Sequence, residues 1–185
     1  MIYGTFVEAA GEFSRQTTFL SRAVGKGESR CPRYILIEPS DVEPGKLRGV
    51  ATDGRRMHIV DPLACPDNIG LEAGNWRPLK MGGEHSWMAQ IKSDAGIFPD
   101  YRRVIPQDEP LFTFELPGLP RGDLMGSMPY LVKFFREFPE PTAINMNYLN
   151  DLDHDFVWKA KWYGGDKAVL FESESRAAVI MPIHM

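Results

Sequence analysis

The four histidines, His58, His85, His154 and His184, are the first side chains to test for chemistry, and they are scattered along the chain. The run Asp151-Leu152-Asp153-His154-Asp155 has the acidic density of an oxygen-ligand cation site. Five such residues between two strands also read as a polar hairpin loop. No serine sits in a G-x-S-x-G elbow. The sequence holds no G-x-x-x-x-G-K-[ST] loop and no dinucleotide fingerprint. Cys31 and Cys65 stand at no metal-ligand spacing. The residues therefore favour a binding protein over an enzyme, with no cofactor. A metal-dependent DNA-processing enzyme using the acidic loop stays as an alternative.

Three segments carry more information. One is Ala51-Thr52-Asp53-Gly54-Arg55-Arg56-Met57. The second is Phe98-Pro99-Asp100-Tyr101-Arg102-Arg103-Val104-Ile105-Pro106. The third is the C-terminal Ala178-Val179-Ile180-Met181-Pro182-Ile183-His184-Met185. Each alone has a plain structural reading. Asp53-Gly54 makes a turn with two solvated arginines beside it. Phe98 to Tyr101 makes a linker anchored by aromatics, and the C-terminus makes a last strand.

Together, and in this order, the three segments resemble the bacterial replicative DNA polymerase sliding clamp, the beta subunit. That family carries an A-T-D-G-x-R-L-like turn, an F-P-D-Y-R-R-V-hydrophobic-P segment and a V-V-M-P-M-x-hydrophobic end. The helix beginning Ser127-Met128-Pro129-Tyr130 is similar to the family's last helix. Family chains have three similar domains, and two chains close a ring of six around duplex DNA. This chain is about half that length, which puts ring closure in doubt. The resemblance implies an apolar pocket for short linear peptides of polymerases, clamp loaders and repair proteins. Carried over residue by residue, that pocket uses Thr52, Gly54, Arg55, Arg56, Met57, Pro99, Arg103, Val104, Val179, Met181, Pro182 and Ile183. Methionine and branched side chains give an adaptable apolar floor. Arg56 and Arg103 are then rim donors to peptide carbonyls or an acidic side chain. Family helices meet phosphates, and the matching DNA-facing residues here are Arg15, Arg22, Lys26, Lys133 and Arg136. Glu8, Glu12 and Glu137 share those surfaces, so a mixed solvated face is an equal reading. The partners implied are clamp-binding peptide motifs, weakly held duplex DNA and further copies of the chain. A peptide-binding adaptor or competitor that does not encircle DNA is the nearest alternative.

The elements that must position these residues are legible in part. Phe6, Ala9, Ala10, Phe13, Thr17, Leu20 and Val24 recur at helical spacing, which predicts a helix from Phe6 to Ala23 ended by Gly25 and Gly27. A second helix is predicted from Ser127, an N-cap, with Pro129 in its first turn and Leu131, Phe134, Phe135 and Phe138 as its stripe. Most of the rest reads as strand and turn: Tyr34 to Glu38, Leu47 to Ala51, Met57 to Val60, Leu111 to Leu116, Ala143 to Tyr148, Phe156 to Trp162, Ala168 to Glu172 and Ala177 to Ile183. Gly164-Gly165-Asp166 predicts a hairpin. The expected fold is α+β and clamp-like: two helices packed on antiparallel sheets, with pseudo-twofold βαβββ halves at about 1–62 and 110–185. The middle, 63–109, reads as irregular, either strands completing a sheet or a long insertion.

At 185 residues the chain is long enough for a single domain with a sizeable core. Its 43% hydrophobic and 25% charged content exclude disorder throughout, collagen and coiled coil. No apolar run is long enough to span a membrane. No signal peptide is read in Met1 to Gly11, and a reducing cytoplasm is expected. A net charge of −4 confines any nucleic-acid contact to a local basic face.

Overall fold

The structure, a computed structural model, describes residues 3–26, 31–82, 84–92, 96–116, 136, 143–153 and 155–183. Two compact units divide the chain, Met1–Pro99 and Asp100–Met185.

The first unit opens with strand β1 (Tyr3–Ala10) and helix α1 (Gly11–Arg22). The helix is shorter than its apolar spacing predicts. Val7 and Ala9 are buried while Phe6 and Glu8 are exposed, the two-residue period of a strand. Gly11, with φ +57°, turns the chain from strand to helix. Strands β2 (Ile35–Pro39), β3 (Leu47–Thr52), β4 (Arg56–Val60), β5 (Gly74–Lys80) and β6 (His85–Ile91) follow. Their order within the unit is β1-β6-β5-β2-β3-β4, with every described pairing antiparallel. Thus the middle segment is not irregular: β5 and β6 complete this sheet, and their apolar anchors Trp76 and Met88 are fully buried.

Helix α1 packs on β1, β3, β4 and β6. Phe13, Phe19 and Leu20 supply its apolar contact, each at most 1% exposed. Packing is tight over Gly49 of β3, where an added Cβ would lie 2.5 Å from Leu20 Cδ1. Polar contacts fix the helix along its axis. Ser14 Oγ and Thr18 Oγ1 share Ser86 Oγ of β6 at 2.8 and 3.2 Å. Gln16 Oε1 accepts from the Ala64 amide at 2.7 Å.

In the second unit a 3-10 turn (Tyr101–Val104) precedes β7 (Phe112–Leu116), a one-turn helix α2 (Met146–Leu149), β8 (Trp158–Trp162), β9 (Val169–Ser173) and β10 (Arg176–Ile180). These strands run antiparallel in the order β10-β9-β8-β7. Trp158, Trp162 and Phe171 are its fully buried aromatics. The hairpin at Gly164 forms as expected, with the Lys167 amide bonded to the Gly164 carbonyl at 3.2 Å. The segment Ala143 to Tyr148 is not a strand. Asn145 caps α2 by accepting from the Asn147 amide at 3.0 Å, and a capped turn wins over the extended form of this six-residue segment. The helix predicted from Ser127 lies outside the described residues, except for exposed Arg136.

Candidate peptide-binding site

The first unit brings Thr52, Gly54, Arg55, Arg56 and Met57 together at one end of the β3–β4 hairpin. Thr52 pairs with Met57 across the strands. The turn between them is held by its own side chains. Thr52 Oγ1 donates to the Arg56 carbonyl at 2.7 Å and accepts from the Gly54 amide at 3.1 Å. Asp53 Oδ1 accepts from the amides of Arg55 and Arg56 at 3.0 and 3.1 Å. Gly54 adopts φ +84°, a conformation that costs glycine little. A Cβ there would also meet Cys31 Sγ at 2.7 Å. That thiol donates to the Asp53 carbonyl at 2.8 Å.

The side chains of this hairpin end divide sharply. Gly54 and Arg55 are exposed. Met57 is 1% exposed, a core residue. Arg56 is 8% exposed and does not stand at a rim. Its Nε donates to Asp53 Oδ2 at 3.0 Å, and a terminal nitrogen donates to the carbonyl of Arg22, the last residue of α1. The helix end offers an unsatisfied carbonyl and the negative pole of the helix dipole, which a guanidinium satisfies better than a peptide would. Beside it, His58 of β4 is wholly buried, its ring stacked on Phe19 at 4.1 Å and 8°. Nδ1 lies 2.7 Å from the Phe19 carbonyl, which can only accept, so Nδ1 carries a proton. Desolvation, which outweighs the bond to Phe19, and the charges of Arg56 and Arg22 lower its pKa to about 3. Pro99 ends this unit exposed. The segment before it is anchored by Tyr34, whose hydroxyl donates to the Gly96 carbonyl at 3.2 Å and whose ring lies 5.8 Å from Phe98.

In the second unit Arg103 and Val104 lie on the 3-10 turn. Arg103 is 82% exposed with its Nε 3.2 Å from Asp100, and Val104 is 45% exposed. Val179 is buried within β10. Met181 is half-buried, Pro182 buried and Ile183 half exposed. The Ile183 amide donates to the Ala143 carbonyl at 2.8 Å and ties this tail to the loop before α2.

Among the DNA-facing candidates, Arg15 is exposed but its Nε donates to Glu12 at 2.7 Å. Arg22 is half-buried, Lys26 and Arg136 are exposed, and Lys133 lies outside the described residues. The acidic loop is not a cation site around Asp153. That carboxylate is 7% exposed and pairs with buried Arg176 at 3.0 Å, and the Arg176 guanidinium also stacks 4.2 Å from the Phe156 ring. Among the described residues no group of three or more potential ligands is placed to hold a metal. Residues absent from the sequence reading of the site are Cys31 and Asp53. Asp53 carries the D-G turn signal, whereas nothing local marks Cys31.

No protein-family model matches this chain, and no curated protein does. Solved bacterial DNA polymerase sliding clamps do match it. The Caulobacter crescentus beta sliding clamp is 16% identical, with 99% of this chain and 66% of that one covered and a TM-score of 0.64. The Pseudomonas aeruginosa clamp is 16% identical, covering 100% and 68%, with a TM-score of 0.60. The Bacillus subtilis clamp is 11% identical, covering 98% and 64%, with a TM-score of 0.60. The chain therefore has the sliding-clamp fold and spans about two thirds of the length of these clamps. No helix among the described residues is long and apolar enough to cross a membrane.

Proposed function

We propose that the protein is a non-catalytic binding protein of the sliding-clamp kind. It takes short linear peptides from DNA replication or repair proteins, and copies of it assemble around duplex DNA in the cytoplasm. The observation that carries the reading is the Thr52–Met57 hairpin end. There a self-bonded turn presents Gly54 and Arg55 to solvent in a chain whose whole length matches clamp structures. Within the second unit, Val104 and Ile183 expose apolar surface of their own and Met181 is half-buried. If each compact unit stands for one clamp domain, a ring of six units takes three copies.

Two measurements test this. A fluorescein-labelled hexapeptide ending in Leu-Phe should bind with a saturable rise in anisotropy, and no binding at hundreds of micromolar protein sinks the peptide reading. Light scattering should give a mass of three chains of 20.9 kDa, and a monomer at all concentrations removes the ring. The adaptor or competitor is the second reading. It is favoured by Arg15, whose charge is spent on Glu12 rather than offered to phosphate.

A further inference from the structure

We propose that Arg56 is a positioning residue: its buried guanidinium fixes the Asp53–Arg55 turn to the C-terminal end of α1 and so sets how Gly54 and Arg55 are presented. The functional consequence rests on the reading of that turn as part of the peptide site. One nitrogen of the fork holds Asp53 Oδ2 at 3.0 Å, which leaves Oδ1 directed at the amides of Arg55 and Arg56. Another holds the Arg22 carbonyl. A guanidinium reaches two acceptors in diverging directions with one rigid plane, and an ammonium cannot. Cys31 bonds the same turn from its other side, through the Asp53 carbonyl. The exposed turn is thereby tied to the helix end at Arg22.

The test uses the full chain with Cys65→Ser, so that Cys31 is the sole thiol. Arg56→Lys, Asp53→Asn and the double variant are compared at a temperature where melting curves show all three folded. Two rates are read: reaction of Cys31 with a chromogenic disulfide reagent, and dissociation of the labelled Leu-Phe hexapeptide. Each single variant should speed both about tenfold, the scale of one lost charged hydrogen bond. The double variant should do no worse than either single one, because both break the same link. Should Arg56→Lys fail to fold, Asp53→Asn carries the test, since it keeps the volume and the Oδ1 acceptor. Lower melting points with unchanged Cys31 rates overturn the proposal and leave Arg56 as packing alone. Faster thiol reaction with no peptide binding in the unsubstituted chain supports the positioning of the turn and removes only the peptide reading.

Discussion

Acid should begin to destabilise this protein through His58 before the carboxylates titrate. The ring is neutral in the fold, with a pKa of about 3 against 6.5 when unfolded. Between those values the unfolded chain takes up a proton that the folded chain refuses, so stability present above pH 6.5 is lost as the pH falls. The slope is about 1.4 kcal/mol per pH unit, and the whole window comes to about 5 kcal/mol. Small proteins have about 5–15 kcal/mol in total, so one side chain accounts for a large part of the acid sensitivity. Between pH 7 and 5, above most carboxylate titrations, His58 alone should cost about 2 kcal/mol. His58→Gln keeps a donor for the Phe19 carbonyl and cannot titrate. Urea unfolding followed by tryptophan fluorescence, at half-unit pH steps from 7.5 to 5, should show the wild type losing about 2 kcal/mol more than the variant. Parallel pH profiles for the two proteins, or the His58 imidazole itself titrating above pH 6 in the fold, would refute the reasoning.

Gly49→Val should destabilise by about 1–3 kcal/mol in thermal unfolding, against the strand preference of valine, because its Cβ would meet Leu20 Cδ1 at 2.5 Å. Arg176→Ala should cost about 3–5 kcal/mol in urea unfolding by leaving the buried Asp153 carboxylate unpaired. Met181→Ala should weaken the Leu-Phe hexapeptide by about 1–3 kcal/mol by anisotropy while leaving the melting temperature near wild type. Linear duplex DNA should bind no tighter than about micromolar at about 150 mM salt, read by a salt-dependent mobility shift, given the net charge of −4 and the Arg15–Glu12 pair.

The fold class was legible because three short segments stand in the order of the clamp pattern and the apolar residues from Phe13 to Leu20 keep helical spacing. Boundaries failed where two periods overlap. Phe6, Ala9 and Ala10 fit helical spacing, yet Val7 and Ala9 alternate with Phe6 and Glu8, and burial settles for the alternation. Trp76 and Met88 sit among glycines and prolines that hide a strand from local reading, because what makes β5 and β6 strands is their non-local pairing with β2 and β1. At the site, residue type located the turn but not the direction of its side chains. An arginine after a D-G turn reads as solvated, and only the helix end thirty-odd residues earlier turns Arg56 inward.

Strand β1 stands at the end of the strand order, so one row of its backbone amides and carbonyls faces no other strand among the described residues. Edges of this kind are commonly blunted by shortness, proline or several charges. β1 runs eight residues, holds no proline and carries Glu8 as its one charge, and that charge meets His85 at 2.8 Å. Such an edge is a template for any extended segment that reaches it, including one from an identical chain. An identical chain paired at that edge would make stability depend on concentration.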